Sequence, residues 1–97
     1  MLYVALFTNH PGRDQIRQQF LADHLAYAEA HHQIKLVGST RPEGEDISDG
    51  AVWILDTPDA QTARALCEAD PFFVNGLRAS VTIKSYRPAP EFAHLFG

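Results

Sequence analysis

An α+β sandwich with the element order β-α-β-β-α-β is predicted by three observations on this chain. Two stretches rich in Ala, Gln, Leu and Glu have helical composition, and four short stretches around them are rich in β-formers. The last of these alternates apolar and polar residues with the period of a half-buried strand.

Leu2 to Thr8 is β-rich and stops at Asn9-His10-Pro11-Gly12, a cluster of turn formers. Residues 13 to 32 contain no proline or glycine, so composition and length together favour a helix. Ile34 to Gly38 reads as the second strand, residues 41 to 50 as a polar connection, and Ala51 to Leu55 as the third strand. At Thr57-Pro58-Asp59-Ala60 the spacing predicts a second helix, with Thr57 as N-cap and Pro58 at the first helical position, where its missing N–H costs nothing. That helix is expected to run to about Ala69. From Leu77 to Tyr86, Leu77, Ala79, Val81 and Ile83 alternate with Arg78, Ser80, Thr82 and Lys84, which puts the second set in solvent. The order is that of a ferredoxin-like sandwich, with two helices on one face of a four-stranded antiparallel sheet.

A chain of 97 residues is one domain, here residues 1–97 with 87–97 as a C-terminal tail. A domain of this size buries only about two thirds of its unfolded surface, so its own core is modest. The net charge of −4 argues against nucleic acid or an anionic membrane as partner, since both call for a basic footprint. No apolar stretch is long enough to cross a bilayer, and Met1-Leu2-Tyr3-Val4 lacks the pattern of a signal peptide. The expectation is a cytoplasmic protein. Cys67 is the single cysteine, with no internal disulfide partner and no zinc pattern.

Strand parity predicts a partner. In the first strand Leu2, Val4 and Leu6 oppose Tyr3, Ala5 and Phe7, and in the third Val52 and Ile54 oppose Ala51, Trp53 and Leu55, so both faces are apolar. Helices cover only one face, and the other would be an apolar patch of a size monomers rarely expose. A homodimer, or a higher oligomer built from it, with sheet faces in contact resolves this; a C-terminal segment folded over the face is the alternative. The tail itself combines Pro88 and Pro90 with Phe92, Leu95 and Phe96, too apolar for a free end. It is expected to dock as a short helical turn, either on the partner near the pocket mouth or on its own subunit.

One histidine stands out. At about 100° per residue His24 falls about 80° from Ile16, inside the apolar arc that holds Phe20, Leu21 and Tyr27, while Gln15, Gln18, Gln19, Ala22, Ala26 and Glu29 take the opposite half. A buried imidazole needs a hydrogen-bond partner, which is either a core backbone group or a functional one. Asp70-Pro71-Phe72 holds the second candidate, Asp70, which reads equally as a helix cap or as the carboxylate of an acid/base pair. Arg41 is a candidate for holding an anionic substrate group or else a solvated loop charge. Ser39, His10 and Phe72 are further substrate-binding candidates, with His10 most simply a turn residue. His31 reads as a cation at the helix C-terminus. His24 and Asp70 supply at most two ligands, so no metal site is expected, and Cys67 reads as a small buried hydrophobe.

The motifs His24-Leu25-Ala26, Leu36-Val37-Gly38, Gly50 to Leu55, Ala63 to Phe72, Asn75-Gly76-Leu77 and Val81 to Lys84 together resemble the YciI-like family, or YCII-related domain. The resemblance covers nearly the whole chain. It implies a dimeric α/β barrel of ferredoxin-like subunits with a His and Asp close together in a cleft, at His24 and Asp70 here. It also implies chemistry of the kind in which HCl is removed from a chlorinated hydroxyquinol, or a lactone is isomerised. Two positions depart from the family pattern: the glycine before the second strand is replaced around His32-Gln33, and Gly38-Ser39 stands where Gly-Pro is usual. The expectation is a small-molecule enzyme of lyase, dehydrochlorinase or isomerase type, working without a cofactor on a small cyclic oxygenated substrate. A non-catalytic dimeric module that binds a small metabolite or a partner protein is the alternative.

Overall fold

The computed structural model describes residues 1–97. Its elements are β1 (Leu2–Asn9), α1 (Asp14–Ala30), β2 (Ile34–Thr40), β3 (Gly50–Asp56), α2 (Ala60–Glu68), α3 (Pro71–Val74) and β4 (Arg78–Ser85), followed by a 3-10 helix over Pro90–Phe96. The sheet order is β2-β3-β1-β4, with every neighbouring pair antiparallel. This is the predicted ferredoxin-like sandwich.

Register explains the core. Ala5 pairs with Trp53, Tyr3 with Leu55 and Phe7 with Ala51, so one parity of β1 and β3 forms a single buried layer, to which α2 adds Ala63 and Cys67. Phe7 and Trp53 therefore share the helix-covered face. The opposite parity forms the open face, where Leu6 and Leu36 are 37% and 45% exposed. Gly50 permits the close approach of β3 to β1, since a Cβ there would meet the Phe7 carbonyl oxygen.

Two local expectations are corrected, and a third is refined. Thr57 does not cap α2: its Oγ1 donates to the Asp59 carbonyl at 2.7 Å, and Asp59 accepts from Thr62 N at 2.8 Å as the actual cap, so the helix begins two residues beyond Pro58. Asp59 is better placed because its carboxylate is both acceptor and anion at the positive helix end. In β4 the simple alternation fails at its start. Thr8 pairs with Ser80 but Asn9 with Arg78, a bulge that skips Ala79 and turns Arg78 to the Val81 side of the sheet. Arg78 is consequently buried and Ala79 exposed. Finally, His31 is the C-cap of α1, where its ring N–H donates to the Tyr27 carbonyl at 2.8 Å, so it acts through a hydrogen bond as well as through position.

The tail forms a helical turn. Of its three large apolar side chains only Phe96 is partly covered on its own subunit, in an edge contact with Tyr86, while Phe92 and Leu95 remain 59% and 63% exposed. Its end lies beside Lys35.

Candidate active site

His24 is the one buried residue of α1. Two hydrogen bonds place this helix against the elements that follow: Tyr27 donates its hydroxyl to the Leu66 carbonyl at 2.7 Å, and Arg13 donates to the Gly76 carbonyl at 2.8 Å. Burial first, and the Asp70 carboxylate second, push the Tyr27 phenol above its ordinary pKa.

Asp70 sits where α2 gives way to α3. Its extended backbone takes the N-cap position and Pro71 the first turn, yet its side chain makes no capping bond. The carboxylate turns inward, where Oδ1 lies 2.7 Å from His24 Nδ1 with 0% of the Asp70 side chain exposed. An ionised carboxylate only accepts, so the proton of a neutral imidazole sits on Nδ1 and the lone pair on Nε2. Nε2 bonds to nothing else in the protein and faces a cavity. Asp70 Oδ2 is buried without a partner.

The ring of His24 is held between aromatic neighbours. Phe72, brought inward by the first turn of α3, stacks on it with centroids 4.2 Å apart and planes at 12°, and Trp53 lies at 5.9 Å. Together with Leu21, Leu25, Val37 and Ala51 they give the cavity an apolar lining, with Gly38, Ser39, Arg17 and Arg78 the remaining wall. Its volume is about 170 Å³.

Of the residues singled out from sequence, His24, Asp70, Phe72 and Ser39 come together here. Arg41 does not itself line the cavity: its guanidinium donates at 2.9 Å to Oγ of Ser39, the β2 residue on the cavity wall, and at 3.4 Å to the Asp46 carbonyl in the following loop. His10 lies on a separate surface hollow among the Asn9–Asp14 turn and residues 45–49. Both stand just beyond a strand end, His10 after β1 and Arg41 after β2. Arg17 and Arg78 were not singled out. Arg17 was legible, because it precedes His24 by two helical turns and so shares its face. Arg78 was not, since only the bulge turns it inward.

Arg78 is 6% exposed and donates from Nη1 to Asn9 Oδ1 at 2.8 Å, with its guanidinium carbon over the rings of Phe7 at 4.8 Å and Phe72 at 5.1 Å. Burial pulls its pKa down to about 10, with Asp70 opposing the shift and Arg17 reinforcing it. Cys67, wholly buried in α2, has its thiol pushed up to about 12 by burial and by Asp70.

The sequence model of the YCII-related domain matches residues 1–87. This chain belongs to the YCII-related domain family. Among solved structures, 5-chloro-2-hydroxyhydroquinone dehydrochlorinase from Burkholderia phenoliruptrix AC1100, in complex with 2,5-dihydroxybenzoquinone, is 27% identical with a TM-score of 0.81, over 94% of this chain and 98% of that one. A cofactor-independent oxygenase from Streptomyces nogalater, 17% identical with a TM-score of 0.54 over 92% of this chain and 94% of its own, shares the fold. So does a protein from Agrobacterium tumefaciens, 20% identical with a TM-score of 0.54, over 93% and 95% of the two chains. No curated protein matches this chain by sequence. No helix of this YCII-related domain is long and apolar enough to cross a membrane.

Proposed function

We propose that this YCII-related domain is a small-molecule enzyme in which His24 Nε2 transfers protons and Asp70 orients the ring. The observation that carries the reading is the buried 2.7 Å bond between His24 Nδ1 and Asp70 Oδ1, which leaves Nε2 free toward the cavity. A carboxylate on one ring nitrogen fixes the tautomer and raises the basicity of the other.

The substrate class is a single oxygenated ring, and the reaction is elimination or isomerisation. The cavity volume of about 170 Å³ compares with the roughly 150 Å³ that accommodates benzene. For a chlorinated hydroxyquinol, Nε2 takes a hydroxyl proton and returns it to the chlorine-bearing carbon, giving the keto tautomer. It then takes a second hydroxyl proton, the electron pair becomes a new carbonyl, and chloride leaves the tetrahedral carbon with the C–Cl pair. One proton and one chloride are lost in all, and no redox partner is needed. The likeness to the dehydrochlorinase supports this class.

Assembly through the open sheet face completes the proposal, with the tail docked on the partner. Exposed Leu6 and Leu36 on that face, and exposed Phe92 and Leu95 on the 3-10 helix, are the surfaces it covers.

The test is a panel of chlorinated and unchlorinated hydroxyquinols and small lactones, read by chloride release and by ultraviolet absorbance. Turnover of a ring substrate supports the reading. Ligand affinity without turnover across the panel would instead establish a binding module.

A further inference from the structure

The cavity carries more charge than proton transfer uses. Arg17 and Arg78 both line it, neither is within ion-pairing distance of any carboxylate, and the only other ionised group at the site is Asp70. In a chain of net charge −4 this makes a local surplus of one positive charge.

Arg78 is the more telling of the two. A buried guanidinium is ordinarily paired, because desolvating a charge without compensation is expensive. Here Nη1 alone is bonded, to a neutral amide oxygen, and Nε is buried with no partner. A bulge in β4 is what brings this cation inside, where its guanidinium carbon lies over the rings of Phe7 and Phe72. Phe72 also stacks on His24, so the cation and the imidazole share one aromatic support.

We infer that Arg78 and Arg17 form an anion seat beside His24, selecting a single planar ring that carries an ionised oxygen, a phenolate or enolate, over its neutral counterpart. This rests on the cavity being the ligand site, as proposed above, but not on turnover. In the proton-transfer scheme the same seat stabilises the enolate that forms when Nε2 removes a ring hydroxyl proton.

Calorimetric titration with 4-nitrophenolate and its neutral isostere 4-nitroaniline, at mildly alkaline pH, tests the seat. Wild type binds the phenolate at least about tenfold tighter, the scale of one charge-assisted hydrogen bond. Arg78→Met brings the ratio near one, Arg78→Lys restores part of it, and Arg17→Gln lowers it partly. Arg17 is only half-buried on α1, so that variant decides the matter even if Arg78→Met does not fold. The preference survives in His24→Ala, and a protein with the preference but no turnover retires the enzyme reading while leaving the seat. Equal affinity for the two probes, or binding of neither, overturns it, as does an unchanged ratio in Arg17→Gln or in a folded Arg78→Met.

Discussion

His24 and Asp70 meet at 2.7 Å with 7% and 0% of their side chains exposed, joining the middle of α1 to the residue that opens α3. The contact spans 46 positions of sequence and is made inside an aromatic layer, where a hydrogen bond to an ionised group is strong and its loss is not repaired by water.

Removing the carboxylate therefore costs stability as well as any activity. Asp70→Ala is expected to lower the unfolding free energy by about 1–3 kcal/mol, read by urea denaturation. Asp70→Asn keeps the shape but loses the charge that sets the tautomer, and is expected to be less destabilised while losing most turnover. Wild-type stability in Asp70→Ala would show that the pair contributes nothing to the fold.

The alkaline side of the stability curve reports on Cys67. Its folded pKa of about 12 lies above the unfolded value of 9.0, so from pH 9 the unfolded thiol loses its proton while the folded one keeps it. The unfolded state then binds fewer protons, and stability falls as pH rises, by at most about 1.4 kcal/mol per pH unit. Arg78, depressed to about 10, acts in the opposite sense at higher pH, which leaves the interval just above pH 9 to the thiol. Denaturation at stepped pH should show this slope in wild type and its loss in Cys67→Ala; an equal slope in both excludes the thiol as its source.

Much of this architecture is legible in the sequence. Strand parity separated Phe7 from Leu6 and Trp53 from Ile54, because side-chain period in a strand is fixed by the pleat, while the register that joins Phe7 and Trp53 in one layer is not local. His24 stood out because an imidazole in an apolar arc demands a partner. What the sequence does not carry is the pairing of distant segments: nothing local distinguishes a capping Asp70 from one turned inward, or an outward Arg78 from one reversed by a bulge set by the partner strand. Arg41 and His10 stood out by residue type alone, and sequence does not show that the one reaches the cavity only through Ser39 and that the other lines a separate hollow.

Parity makes the two sheet faces experimentally separable. A lysine at Leu6 or Leu36 should leave a folded protein that sediments as a monomer, whereas Trp53→Glu places a charge in the buried layer and should unfold it. Analytical ultracentrifugation with circular dichroism reads both. Wild type sedimenting as a stable monomer at micromolar concentration would remove the sheet-face interface.

Deleting residues 91–97 removes Phe92, Leu95 and Phe96, of which only Phe96 is half-covered within the subunit. Truncation is expected to weaken association or ligand affinity more than subunit stability, since burying each such side chain on a partner is worth roughly 1.5–3 kcal/mol. If association, stability and activity are all unchanged, the tail has no docking role.

Whether Nε2 of His24 moves the proton is read from single-turnover kinetics of His24→Ala on whichever ring substrate wild type converts. The expected variant is folded by circular dichroism, still binds the ring, and turns over at least about 10²-fold more slowly, the lower end for loss of a general acid/base group. A folded His24→Ala protein with wild-type turnover would contradict that role for Nε2.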